Sequence, residues 1–176
     1  MTGPGRQTAF PTRAGAAVAY SLRVEGLDGA MKHGRVLLAD SHLGMLGGVH
    51  SLLDGLFETV LMVADERSLL DAVTTFKPNL VVVDLSLPGQ GEANVARRLM
   101  GSYPQLRLIV LSVHDEPTVV AQMLSAGVAG FVLKRAAATD LVSAVREVLQ
   151  GKVYVSAAVQ PERPEADSRC GGGPTA

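Results

Sequence analysis

Thiols are nearly absent from this sequence: Cys170 is the one cysteine, and it lies in a Gly-rich tail. That excludes a disulfide framework and a thiolate metal site, and it suits a reducing cytoplasm. Long apolar runs are missing too. No window reaches the roughly 18 unbroken apolar residues of a membrane helix, so no spanning segment is expected. Charge of one sign is also lacking, since 16 Lys and Arg stand against 17 Asp and Glu for a formal charge of -1. Such a balance gives no general attraction for nucleic acid. No Gly-rich phosphate loop follows the first apolar run, and there is no nucleophile elbow.

What is present is enough for a core. Hydrophobic residues make up 47% of the 176 positions and charged residues 19%, the balance of an ordinary globular domain. The length accommodates one such domain with residues to spare. Residues 1–33, rich in Gly, Pro, Ala and Arg, read as a disordered leader. Within it, Ala14 to Leu22 follows Arg6 and Arg13 in the manner of a signal peptide. Its apolar run is mostly alanine and glycine, and no clear cleavage signature follows. Met31 stands just before the first convincing strand and could be the true start. Residues 157–176, including PERPEADSRCGGGPTA, read as a disordered tail. Residues 34–156 are left for the domain.

In that span five apolar runs alternate with five helix-period segments. The runs are Val36–Ala39, Val60–Val63, Leu80–Val83, Leu108–Leu111 and Phe131–Leu133. Continuous rather than alternating apolar character indicates strands buried on both faces, as in parallel sheets. Met45, Val49, Leu52 and Leu53 mark one face of the first helix, and Leu69, Ala72, Val73 and Phe76 mark the second. Val95 and Leu99 mark the third, and Val120, Met123 and Leu124 the fourth, which Pro117 opens. Leu141, Ala144, Val145, Val148 and Leu149 mark the fifth, which Gly151 ends. The alternation predicts a right-handed, doubly wound α/β sheet. The first helix is the weak element, because Gly44, Gly47 and Gly48 each cost about 1 kcal/mol relative to alanine. Either it is short and frayed, or it packs its backbone closely.

Open parallel sheets bind ligands beyond the carboxyl ends of their strands. The first run ends in Asp40, the third in Asp84, the fourth in Ser112 and the fifth in Lys134. Singly, each residue has an ordinary role: a turn-capping aspartate, a strand-end serine, a solvated lysine. Together at one rim they suit a particular chemistry. Two carboxylates attract a hard cation such as Mg²⁺, while an ammonium and a hydroxyl neutralise and bind phosphoryl oxygens. One carboxylate can itself be the nucleophile, giving an aspartyl-phosphate. His42 and His114 lie near the rim and read as solvated loop histidines.

RVLLADSH, PNLVVVDLSLPG, LIVLSVHDE and AGFVLK resemble the signature blocks of response-regulator receiver domains. LSVHDE, SAGVAGFVLK and GKVYVS look most like the NarL/FixJ (LuxR-type) subfamily. The resemblance runs from about Gly34 to Ser156 with every block in order. It implies a flavodoxin-like fold, five parallel strands in the order 2-1-3-4-5 with five helices. It also implies that Asp84 is the phospho-acceptor, served by a phosphohistidine on a sensor histidine kinase. Asp40 matches the first residue of the family's acidic pair, and Ser86 the position whose backbone carbonyl binds Mg²⁺. Ser112 matches the switch hydroxyl, Phe131 the aromatic that turns inward on activation, and Lys134 the lysine paired with the phosphoryl group. Pro88 and Gly89 match the loop after the acceptor. Leu43, Met45 and Leu46, beside the rim, are candidates for the kinase-docking face.

Two departures stand out. The second acid of the pair is Ser41, a poorer Mg²⁺ ligand than a carboxylate, so weaker metal binding and slower phosphorylation are expected. Regulators of this subfamily also carry a helix-turn-helix output domain. Only twenty residues follow Ser156, with no apolar periodicity, so direct DNA binding is not expected. The readout would be another protein, including homo- or heterodimers with other regulators. Three classes of function remain: a phosphoryl-accepting signalling domain in transcriptional control, a phosphorylation-independent docking domain, and a small enzyme on a flavodoxin-like fold.

Overall fold

The computed structural model describes residues 32–89 and 94–159, apart from the side chains of residues 43–46. Strands β1 (His33–Ala39), β2 (Phe57–Val63), β3 (Leu80–Asp84), β4 (Leu108–Ser112), β5 (Gly130–Leu133) and β6 (Tyr154–Val155) form one sheet. All pairings are parallel, in the order β2-β1-β3-β4-β5-β6. Helices α1 (Leu43–Leu56), α2 (Glu66–Phe76), α3 (Val95–Ser102), α4 (Pro117–Ser125) and α5 (Ala137–Leu149) make the crossovers. The flavodoxin-like order 2-1-3-4-5 is therefore present. Five strands is corrected to six among the described residues.

Period-two geometry divides the apolar strands between two cores. Leu37, Ala39, Val81, Val83, Val110 and Phe131 face the layer of α2, α3 and α4. Val36, Leu38, Val82, Ile109 and Val132 face α1 and α5. Both faces are dry, which is why the runs carry no polar alternation. The helices follow their expected faces, with Leu69, Val73, Leu99, Met123, Leu141 and Val148 all buried. Asp65 caps α2 through Ser68 N–H at 2.9 Å, and Asn94 caps α3 through Arg97 N–H at 3.0 Å. After β3, a Cβ at Gly89 would press on the ends of the paired side chains of Glu66 and Arg98, which would have to move aside.

The first helix is not short, and its backbone is not closely packed at Gly47 or Gly48. It runs 14 residues, and a Cβ added at Gly47 or Gly48 would meet nothing within 4 Å. These glycines face solvent, so burial of Val49 and Leu53 on the opposite side must offset their propensity cost. Gly47→Ala and Gly48→Ala are each expected to raise stability by about 1 kcal/mol, read as a higher urea midpoint at unchanged slope.

The sixth strand arises from Gly151, whose φ of 81° turns the chain back after α5. Tyr154 N–H then donates to Ala129 carbonyl and Ser156 N–H to Phe131 carbonyl, both at 2.9 Å. Ser156 is fully buried. Its hydroxyl accepts from Leu133 N–H at 3.1 Å and donates to Asp140 Oδ2 at 2.6 Å. Ser156→Ala would strand the buried Leu133 N–H, while Asp140 keeps its bond from the Thr139 hydroxyl, and is expected to cost about 1–3 kcal/mol in urea unfolding.

The described chain continues through a 3-10 turn at Ala157–Val159, where Val159 is buried. Apart from Lys32, His33 and residues 157–159, the expected leader and tail lie outside the described residues. Among the described residues, no helix is long and apolar enough to cross a membrane.

Candidate phosphoryl-accepting site

Strand register sets the rim. Ala39 lies beside Val83, so the next residues, Asp40 just past β1 and Asp84 as the last residue of β3, stand at the same level. Asp84 lies beside Leu111, and Ser112 beside Leu133, which places Ser112 and Lys134 at the same edge. The switch in strand order falls between β1 and β3, where those two carboxylates emerge.

Three of the four expected side chains meet there. Lys134 Nζ lies 2.7 Å from Asp84 Oδ2 and 3.3 Å from Asp40 Oδ2. All three are buried, with Asp84 only 1% exposed. A lysine shared by two carboxylates compensates their mutual repulsion at short range. Ser86 bends back on the acceptor, its N–H donating to Asp84 Oδ1 at 2.9 Å and its hydroxyl to Oδ2 at 2.7 Å.

Burial alone pushes the Asp84 carboxyl up in pKa. Hydrogen bonds from Lys134 and from the Ser86 hydroxyl and N–H outweigh it and hold the group below the usual carboxylate value. A depressed pKa means that folding favours the ionised form. That contribution to stability is complete above the ordinary value of 3.8 and is lost as pH falls through the lower folded value. NMR titration of the Asp84 carboxyl carbon is expected to give a midpoint below 3.8. A midpoint on the alkaline side would show that burial prevails.

Ser112 is buried at the end of β4, and its hydroxyl oxygen accepts from His114 N–H at 2.9 Å. This leaves the hydroxyl hydrogen able to turn toward a phosphoryl oxygen. Phe131 is fully buried in the core on the α4 side. The side chains of Leu43, Met45 and Leu46, considered for docking, lie outside the described structure.

One residue in the cluster was not expected. His42 is 65% exposed, yet its Nδ1 lies 3.3 Å from Asp40 Oδ1 and 3.4 Å from Asp84 Oδ2. Its backbone N–H also donates to Asp40 Oδ1, at 2.7 Å. Spacing held the available signal: a residue two positions past a strand-end aspartate sits where the Asx turn closes. His114 keeps its loop role, 60% exposed and 3.7 Å from Glu116.

The profile of the response regulator receiver domain matches residues 36–146. The chain belongs to that family. Among curated relatives it is 34% identical over 125 residues to the response regulator GacA of Pseudomonas protegens, covering 69% of this chain and 58% of that one. It is 38% identical over 122 residues to the transcriptional activator protein ExaE of Pseudomonas putida, covering 68% and 57%. The chain spans between 52% and 65% of the length of the first relatives it matches. Among solved structures, the signal receiver domain of the response regulator NarL from Mycobacterium tuberculosis aligns with a TM-score of 0.61 at 31% identity. That match covers 69% of this chain and 99% of the other. The isolated receiver domain of RcsB from Salmonella enterica, in the presence of the phosphomimetic BeF₃⁻, aligns with a TM-score of 0.65 at 26% identity, covering 71% and 94%.

The chain therefore carries a receiver domain of a two-component response regulator, related to LuxR-type regulators. Phosphorylation by a histidine kinase is the usual role of the family, and its receivers generally bind Mg²⁺ at an acidic pocket and are not catalysts. Asp40 and Asp84, brought within reach of one point, fit a divalent cation. Ser41 adds no charge to them.

Proposed function

We propose that Asp84 accepts a phosphoryl group from a phosphohistidine on a sensor histidine kinase in the cytoplasm. The receiver then changes its protein contacts in transcriptional control. The observation that carries this reading is Lys134 Nζ at 2.7 Å from Asp84 Oδ2, with Asp40 beside them. A carboxylate held ionised is the nucleophile that the transfer requires. An Asp84 oxygen attacks phosphorus, the phosphorus–nitrogen bond to the kinase imidazole breaks, and that imidazole regains its proton. Lys134 neutralises charge on the transferred group, and the Ser112 hydroxyl donates to one of its oxygens. Mg²⁺, when bound by Asp40, Asp84 and the Ser86 carbonyl, supplies further charge neutralisation.

Phosphorylation adds roughly -1.5 to -2 of charge and strong acceptor oxygens. New contacts to Lys134 and Ser112 bias two arrangements of the α4, β5 and α5 surface, which a partner or a second regulator reads. Leu133 N–H is held by Ser156, so movement at Lys134 passes to β6 and the segment after it.

Acetyl phosphate with Mg²⁺ tests the reading on the full chain. Intact mass should rise by one HPO₃ unit, and hydroxylamine, which cleaves an acyl phosphate and spares serine and threonine phosphates, should remove it. A chain that stays unmodified at high Mg²⁺ supports the second reading, a docking domain that works without phosphorylation. Ser41 in place of a carboxylate is the observation that favours it.

A further inference from the structure

His42 supplies a nitrogen donor on the same side of the site as the two carboxylates. Ligand atoms of Asp40, His42 and Asp84 all lie within 4.8 Å of one another. The imidazole-to-carboxylate separations are 3.3 and 3.4 Å. Adjacent ligands on an ion with bonds of about 2.1 Å stand roughly 3 Å apart, so small shifts would bring all three onto one cation. The ring is placed by its own backbone, because His42 N–H is bonded to Asp40. Its 65% exposure leaves one side open for water to complete the coordination. At Asp40 the ammonium of Lys134 approaches Oδ2 and the imidazole Oδ1, so they take different edges of that carboxylate, whereas at Asp84 both approach Oδ2, at 2.7 and 3.4 Å.

Donor chemistry then decides the ion. Mg²⁺ strongly prefers oxygen ligands in a near-ideal octahedron and dehydrates reluctantly. Ser41 denies it a third carboxylate, and the neighbouring imidazole is a ligand it seldom takes. First-row ions such as Co²⁺, Ni²⁺ and Zn²⁺ accept imidazole beside carboxylate and bind it more tightly.

We propose that Asp40, His42 and Asp84 form a mixed nitrogen–oxygen site that selects a first-row divalent cation over Mg²⁺. The site shares its carboxylates with the proposed phosphoryl acceptor and adds to that reading the identity of its cation. Binding is measured with no phosphoryl donor present, so the metal preference and the acceptor role fail or stand separately.

Calorimetric titration of the full chain with Co²⁺ and, separately, Mg²⁺ tests it, with visible absorption following the Co²⁺ ligand field. Wild type should bind Co²⁺ more tightly than Mg²⁺. His42→Ala should weaken Co²⁺ by about tenfold or more while moving Mg²⁺ by less than about twofold, and should remove the nitrogen contribution to the Co²⁺ spectrum. Asp84→Asn should weaken both ions, and His114→Ala should change neither. Equal effects of His42→Ala on the two ions, or none on Co²⁺, would mean that the ring only hydrogen-bonds the carboxylates, overturning the proposal. Co²⁺ binding that survives Asp84→Asn unchanged would place the ion elsewhere and overturn it equally. His42 is largely exposed, so His42→Ala should leave the fold intact, and circular dichroism checks this.

Discussion

Asp84→Asn protein is expected to take up no phosphoryl group from acetyl phosphate under conditions that label the wild type, a complete loss by intact mass. Asparagine keeps the size of the side chain and an oxygen acceptor for Ser86 N–H, now 2.9 Å from Asp84 Oδ1. It removes the negative oxygen that attacks phosphorus, and no acyl phosphate can form from an amide without losing its nitrogen. The change also takes one partner from Lys134, leaving Asp40 at 3.3 Å. Neutralising one carboxylate of a crowded pair relieves repulsion as well, so folding is expected to survive and thermal unfolding to remain cooperative. Labelling that persists in the folded variant would move the acceptor to another carboxylate, with Asp40 the first to examine.

The architecture was legible because its strands are short apolar runs between amphipathic helices, and the two periods do not resemble one another. Leu80–Val83 and Leu108–Leu111 are buried on both faces, which leaves no polar residue to blur the signal. The rim followed from strand endings: Asp40, Asp84 and Lys134 are the first polar residues after their runs, and parallel register carries them together. Other features leave weaker traces. Tyr154–Val155 is two residues long, too short for any period, and its strand exists because Gly151 turns the chain toward the β5 edge. The soundness of α1 was hidden because glycine propensity is local whereas the burial of Val49 and Leu53 is tertiary. His42 looked like any loop histidine, since exposure and sequence neighbours do not reveal which oxygens a ring nitrogen approaches across the sheet.

Ser41→Asp reverses the departure that most distinguishes this rim from the family pattern. A third carboxylate beside Asp40 and Asp84 adds one unit of negative charge to the attraction for a cation, and ligand charge count is a principal control of affinity for hard ions. The Mg²⁺ concentration giving half-maximal labelling is expected to fall by about ten- to hundredfold relative to wild type. The same substitution loads the metal-free site with three acids around one ammonium, Lys134. Without Mg²⁺ the variant should therefore unfold at a lower temperature than wild type. Tighter binding to the folded state then makes its unfolding temperature climb more steeply with added Mg²⁺. The two measurements share one cause and must move together. Unchanged Mg²⁺ dependence in both would mean that position 41 does not face the cation, and slow phosphorylation could not then be assigned to its serine.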